Sequence, residues 1–168
     1  NQIDIYSNFL TELAFYIYDN GSNSLPNEKF QIFIESYKAK FNLPIPLNDI
    51  LKVLNNVNIC QFDSFNQFSF CYTYIYYFFI AKYISENIDK QKSLVTKIIS
   101  NIHKDENAYI TIFIAHHSKS NYLLDELLLS AEMLFEKYEP STLETDELDF
   151  FDKHEDKIVK SILPSYEH

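Results

Sequence analysis

The apolar positions of the first 56 residues recur at three- and four-residue steps, the period of amphipathic helices. The pattern predicts helices over residues 3–19, 26–41 and 47–56. Gly21 follows the first helix, at a position where a left-handed residue commonly ends a helix. Pro44 and Pro46 are expected to hold an extended link between the second and third helices. The buried stripe of the first helix is predicted to contain Ile3, Tyr6, Leu10, Leu13 and Ile17.

Two short aromatic and β-branched segments within residues 59–70 predict a β-hairpin. A turn centred on Phe65 and Asn66 would place Cys60 opposite Cys71. Two cysteines do not make a disulfide framework, and we interpret both as small buried hydrophobic side chains. Burial raises the pKa of a thiol, so neither cysteine is expected to be a nucleophile.

The segment after the hairpin is aromatic and apolar on nearly every side, which predicts a buried central helix over residues 72–87. Helices are also predicted over residues 90–103, 108–117, 121–138 and 148–163, with a polar loop at 141–147. The fold class is therefore mainly α. Residues 1–88 are expected to form a module of three helices, a β-hairpin and a long aromatic helix. Residues 89–168 are expected to form a helical annex with an acidic C-terminal part.

The composition excludes several kinds of site. The chain has one glycine, no tryptophan and no arginine, so its 14 basic residues are all lysines. A phosphate-binding P-loop, a dinucleotide fingerprint and a nucleophile elbow each need several glycines close together. A guanidinium clamp needs arginine. None of these sites can be built from this chain.

The charge is strongly negative and unevenly distributed. The net charge is −10, and residues 125–168 hold 13 acidic groups against 4 lysines. A negative field repels phosphate backbones, so no nucleic-acid partner is expected. The longest apolar stretch, residues 71–81, is too short to cross a membrane, and the two thiols suit a cytoplasmic protein. Because Asn1 is not a start methionine, we expect a fragment of a longer protein.

Three helices followed by a hairpin is the order of elements in a winged helix. In DNA-binding proteins of this kind the third helix enters the major groove. Here that helix offers one lysine, Lys52, and one acid, Asp49, and the hairpin loop contains no lysine. Phosphate contacts usually supply much of the affinity for DNA, so a winged-helix DNA-binding function is the weaker alternative.

The same order, together with the local sequence, resembles the winged-helix region of bacterial STAND-type signalling ATPases, the NACHT and NLR-like group. Residues 10–16 (LTELAFY) resemble the start of that region. Residues 68–81 (FSFCYTYIYYFFIA) resemble its closing strand and aromatic helix, where the family has a histidine at Tyr72 and a glutamate at Tyr77. The positions that match the family pattern are Phe70, Phe78, Phe79 and Ala81.

The resemblance implies a function that this chain does not hold alone. In such proteins the nucleotide-binding domain lies upstream, and the winged helix moves when the nucleotide changes. The chain would then be a non-catalytic regulatory and protein-interaction module that couples nucleotide or ligand state to effector assembly. Its partners would be neighbouring domains of its parent chain, or further copies in self-assembly. No cofactor, metal or catalytic residue is assigned to it.

Two groups of residues remain as candidates for a site. His103, His116 and His117 could serve a small metal-dependent hydrolase, although no pair has the i, i+4 spacing that places two ligands on one helical face. The second group is a run of tyrosines on or near the aromatic helix. Some of these could face a neighbouring domain, and the chain without that domain would then expose an aromatic patch. Its members are Tyr72, Tyr74, Tyr76, Tyr77 and Tyr83.

Overall fold

The computed structural model describes residues 2–41, 46–118 and 121–136. This part of the chain is mainly helical with one small antiparallel sheet, as the sequence predicts. In chain order the elements are α1 (Gln2–Asp19), β1 (Ser24–Pro26), α2 (Asn27–Lys40), α3 (Leu47–Asn56), β2 (Cys60–Phe62), β3 (Gln67–Phe70), α4 (Thr73–Glu86), α5 (Lys92–Ile99), α6 (Asp105–His117) and α7 (Tyr122–Phe135).

The sheet has the strand order β1-β3-β2, with both pairings antiparallel. The predicted register of the hairpin was wrong by one residue. Cys60 lies opposite Phe70 rather than opposite Cys71, and Gln61 lies opposite Ser69. The main-chain N–H of Cys71 instead donates to the carbonyl of Ile59, at 2.9 Å.

The geometry of the turn explains the shift in register. The loop between the paired residues Asp63 and Gln67 has three residues. The predicted register requires a turn centred on two residues, Phe65 and Asn66. The N–H of Asn66 donates to the carbonyl of Asp63 at 3.1 Å, and Asn66 has a left-handed φ of 59°. This is the common three-residue hairpin loop, a type I turn followed by a left-handed residue. The Asp63 carboxylate also accepts from the N–H groups of Phe65 and Gln67.

Strand β1 was not predicted from the sequence. It has only three residues, which is too few to show a period of two, and it pairs with β3 so that Leu25 lies opposite Phe68. Leu25 is fully buried. Pro26 ends the strand and directly precedes α2, so the predicted helix start was one residue early.

One hydrophobic core joins the helices to the sheet. α4 packs against α1 on one side and α6 on another, which agrees with its predicted central position. The Phe30 ring of α2 stacks on Phe68 of β3, with ring centroids 4.1 Å apart. The largest side chains that are fully buried are Phe9, Phe30, Leu13, Ile17, Leu25, Ile50, Ile80, Ile84, Ile110, Ile114, Leu123 and Val95.

The helix ends follow local chemistry. Gly21 has a φ of +67°, and its N–H donates to the carbonyl of Tyr18, as expected for the residue after a helix. α6 begins at Asp105, earlier than predicted, because acidic side chains stabilise the first turn of a helix. α5 ends at Ile99, four residues short of the prediction. Ile3, assigned to the buried stripe of α1, is 71% exposed.

Several predictions concern residues that the structure does not describe. The helix over 148–163, the loop over 141–147 and the link at Pro44 lie outside the described residues. The boundary between residues 88 and 89 stays a prediction. Asn1–Ser130 form one compact unit. Of the helices described, none combines the length and apolar character needed to cross a membrane.

Candidate functional site

The structure does not bring the three candidate histidines together. His103 is exposed in the turn before α6, whereas His116 and His117 are its last two residues. α6 has 13 residues, which corresponds to a length of about 20 Å at 1.5 Å per residue. Within residues 2–41, 46–118 and 121–136, no three His, Cys, Asp or Glu side chains are grouped so that they could hold a metal ion.

His117 packs into the junction of α4 and α6. Its ring lies edge to face with Phe78, at 4.6 Å between centroids, and its Nε2 is buried without a hydrogen-bond partner in the described part of the chain. Burial lowers the pKa of His117, and His116 and Lys82 lower it further, while Glu86 acts in the opposite direction. These contacts favour the neutral imidazole and give His117 a packing role.

The two cysteines are free thiols in different surroundings. Cys60 is buried, and this burial, with a smaller effect of Cys71, raises its pKa far above the ordinary value of a thiol. Cys71 is half-buried, and its pKa is raised by burial. A thiol with a raised pKa is a poor nucleophile at neutral pH.

A polar cavity of about 660 Å³ lies between the α1–β1 turn and helices α5 and α6. Two lysines, Lys97 and Lys104, and two acids, Asp19 and Glu106, line it with several amide side chains. The opposing charges balance, so the cavity has no strong preference for a charged ligand. It contains none of the candidate histidines.

The tyrosines of α4 divide into buried and exposed members. Tyr76 is buried, and its hydroxyl donates to the main-chain carbonyl of Ser22 at 3.1 Å. Tyr83 stacks on Phe15 of α1, with ring centroids 3.9 Å apart. Tyr72, which directly precedes α4, is 55% exposed, and Tyr74 is 59% exposed. Two tyrosines of the run are therefore exposed, whereas Tyr76 is buried and Tyr77 and Tyr83 are half-buried.

The exposed aromatic surface is built jointly by α4 and α6. Tyr109 of α6 meets Tyr74 edge to face at 5.2 Å between centroids, and it lies nearly parallel to Tyr77 at 6.2 Å. Ile112, one turn further along α6, is 62% exposed. We call these four residues, Tyr74, Tyr77, Tyr109 and Ile112, the tyrosine patch.

Acidic side chains adjoin the tyrosine patch at the start of α6. Asp105 lies one turn before Tyr109 on the same helix. The pKa of Tyr77 is raised by burial and then by the charges of Glu106 and Asp105. The pKa of Tyr109 is raised first by its hydrogen bond with Tyr74, and the charge of Asp105 adds to this. The negative field of the helix start thus reaches the tyrosine hydroxyls.

The contribution of α6 to this surface was missed in the sequence. The prediction of a helix over residues 108–117 does not separate the exposed Tyr109 and Ile112 from the buried side chains of that helix. The sequence does indicate that these residues lie together, because Asp105, Tyr109 and Ile112 follow one another at three- and four-residue steps and so share one side of a helix. Which residues of α4 they meet depends on tertiary packing.

Comparison with known families concerns the first half of the chain. A family model described as Novel STAND NTPase 4 matches residues 23–80. This segment is a STAND NTPase-related region. It includes β1, α2, α3 and the hairpin, and it ends at Ile80 in the middle of α4. Neither a curated protein nor a solved structure matches the chain.

The STAND-related region contains part of the surface described above. Tyr74 and Tyr77 lie inside the matched segment, whereas Tyr109 and Ile112 of α6 lie beyond it. The tyrosine patch therefore joins the STAND-related region to the helices that follow. α4 itself packs on both α1 and α6.

Proposed function

We propose that this chain is a non-catalytic regulatory module of a larger bacterial STAND-type NTPase, located in the cytoplasm. It couples the nucleotide or ligand state of its parent to effector assembly. The observation that carries the proposal is the match of residues 23–80 to a STAND NTPase family model. The composition adds to it, because a chain with one glycine cannot form its own P-loop.

The order of elements supports a winged-helix interpretation of the first module. The order α1-β1-α2-α3-β2-β3 contains three helices and the hairpin, and β1 extends the hairpin to a three-stranded sheet. A small domain of this kind with an exposed aromatic surface beside it is suited to packing against other protein. Neighbouring domains of the parent, or further copies of it, are the proposed partners.

A DNA-binding winged helix is the first alternative, and the side chains of α3 do not favour it. Its exposed side carries a single lysine, Lys52, beside an acidic Asp49. The exposed tip of the hairpin is Phe65, which is 82% exposed and cannot contact a phosphate. Such a surface supplies little of the electrostatic affinity on which DNA binding depends.

A small hydrolase is the second alternative, and the placement of the histidines does not favour it. His103 and the pair His116 and His117 lie at opposite ends of α6. A general base needs a substrate and an orienting group within hydrogen-bond reach. The contacts of His117 are with Phe78 and His116 instead.

Hydrogen exchange of the full-length parent tests the proposed coupling. We expect the amides of α4 and α6 to change their exchange rates between the ATP-bound and ADP-bound states, because coupling requires these helices to change neighbours. Identical exchange across both helices in every nucleotide state would contradict the coupling role. The 168-residue chain alone is expected to show no nucleotide hydrolysis.

Assembly of the parent tests the role of the tyrosine patch. The double variant Tyr74→Ser and Tyr109→Ser removes two exposed rings, and we expect it to weaken nucleotide-dependent assembly measured by light scattering. The matched control is Ile32→Ser with Val57→Ser, which removes exposed apolar side chains elsewhere. Equal loss of assembly in both variants would show that the patch has no specific part in it.

A further inference from the structure

The tyrosine patch presents ring surface and negative charge side by side. Tyr74 is 59% exposed and Tyr109 is 38% exposed, and their rings meet at a right angle. Both rings therefore keep part of their surface accessible to a ligand. The face of a tyrosine ring is electron-rich, so it attracts a cation placed over it. The exposed ring surface can therefore bind a positively charged group.

The carboxylate of Asp105 adds a negative charge next to the tyrosine patch. Asp105 is exposed, and in the described ranges no lysine lies within ion-pair distance of it. Lys104, its neighbour in sequence, lines the polar cavity beside α5. Asp105 lies one turn before Tyr109 on α6, whereas Glu106 lines the polar cavity together with Lys104. A cation over the rings would be attracted by the ring faces and by the carboxylate of Asp105.

The geometry points to an arginine. We propose that the tyrosine patch with Asp105 is a docking site for an arginine-bearing, positively charged segment of a partner protein. A guanidinium is planar and can stack on a tyrosine face while it donates to a carboxylate, whereas a lysine ammonium is a compact and strongly hydrated charge. This chain contains no arginine. The proposed segment therefore belongs to another protein or to another part of the proposed parent.

This inference rests on the proposed function in treating the patch as an interface, but it is tested on the 168-residue chain alone. The probe is a peptide of alternating glycine and arginine, titrated by calorimetry, beside a peptide with lysine in place of arginine. We expect the arginine peptide to bind more tightly than the lysine peptide. The variant Tyr74→Ser with Tyr109→Ser should weaken arginine binding about five- to tenfold, the size expected for exposed cation–π contacts.

The controls separate specific docking from general attraction to an acidic chain. The serine variant keeps the net charge of −10, so nonspecific attraction is unchanged. Tyr74→Phe with Tyr109→Phe keeps the rings and should retain binding within about twofold, because phenylalanine also binds cations. Asp105→Asn should weaken binding more than Asp49→Asn, which removes the same charge from α3. Circular dichroism verifies that each variant is folded.

Three outcomes would overturn the inference. The serine variant could bind as tightly as the wild type, which would assign binding to general attraction by the acidic residues of 125–168. The lysine peptide could bind as tightly as the arginine peptide. Asp49→Asn could weaken binding as much as Asp105→Asn. Neither peptide could bind while the serine variant still impairs assembly of the parent. In that case the proposed function stands, and the proposal of an arginine-bearing partner is wrong.

Discussion

Tyr76 of α4 donates a hydrogen bond from its hydroxyl to the main-chain carbonyl of Ser22, 3.1 Å away. The two residues are 54 positions apart in the chain. The bond ties the central helix to the turn between α1 and β1, at the edge of the polar cavity. Tyr76 lies inside the STAND-related region, and Ser22 directly precedes it, so the bond joins this region to the turn that follows α1.

Loss of this bond should be measurable. Tyr76→Phe removes the hydroxyl and keeps the ring, and we expect a decrease of about 1 kcal/mol in the free energy of unfolding, typical of one buried hydrogen bond. Urea denaturation measures the change. Tyr72→Phe, at a position that is 55% exposed, serves as the control and should change stability by less than about 0.5 kcal/mol. Equal stability of the Tyr76→Phe variant and the wild type would contradict the role of this bond.

Alkaline pH should destabilise the protein through its tyrosines. Burial, the larger cause, and the charge of Glu12 raise the pKa of Tyr37 to about 12, and burial also raises the pKa values of Tyr18, Tyr76, Tyr77 and Tyr83. The folded state holds these protons more tightly than the unfolded state, whose tyrosines titrate near pH 10. The stabilisation is complete below pH 10 and is lost as the pH rises towards the folded pKa values.

The measurement is the urea midpoint as a function of pH, together with the absorbance of tyrosinate. Tyr37→Phe should reduce the loss of stability between about pH 10 and 12, because one of the raised groups is absent. Its hydroxyl donates to Asn8 in the folded chain, so the variant is also expected to be about 1 kcal/mol less stable at neutral pH. A midpoint independent of pH in this range would contradict the account.

The two thiols should react at different rates. Cys60 is 1% exposed with a strongly raised pKa, whereas Cys71 is half-buried. We expect a thiol reagent to modify Cys71 in the folded chain and both cysteines after denaturation. Cys71→Ser should abolish the reaction of the folded chain. Modification of Cys60 in that variant, at the rate seen for Cys71, would show that the hairpin is not packed as described.

The stacked pair Phe30 and Phe68 should dominate the stability of the sheet side of the core. Phe30 is 1% exposed and also contacts Phe62 edge to face. Phe30→Ala should cost about 3–5 kcal/mol, the range for large aromatic truncations in a core. Ile32→Ala on the same helix, at a position that is 62% exposed, should cost less than about 0.5 kcal/mol. Similar costs for the two variants would contradict the packing of α2 on the sheet.

The seven helices that the structure describes were each predicted from the sequence, and so was the class of the fold. The bounds of α3 agree with the prediction because Pro46 sets its start and the period of three to four residues continues to its end. The hairpin register was not predictable from hydrophobicity alone. It depends on whether the loop has two or three residues, and this is decided by the left-handed Asn66 and the side-chain bonds of Asp63.

The candidate site was predictable in part. The aromatic density of residues 72–87 predicts a buried central helix and leaves open which tyrosines are exposed, and Tyr74 is 59% exposed. The same density did not separate Tyr74 from the buried Tyr76, because a helix that is apolar on nearly every side has no clear periodic signal. The partner ring, Tyr109, comes from a helix 35 residues later in the chain. Contacts of that kind follow from the packing of α4 on α6.

The proposal that this chain is a part of a larger STAND-type NTPase rests on the match of residues 23–80 to one family model. The most direct test is to determine the coding sequence on both sides of Asn1 and His168. The account predicts an upstream nucleotide-binding domain with a glycine-rich P-loop followed by acidic residues that bind Mg²⁺. An open reading frame that begins at or just before Asn1 and stops near His168 would contradict it.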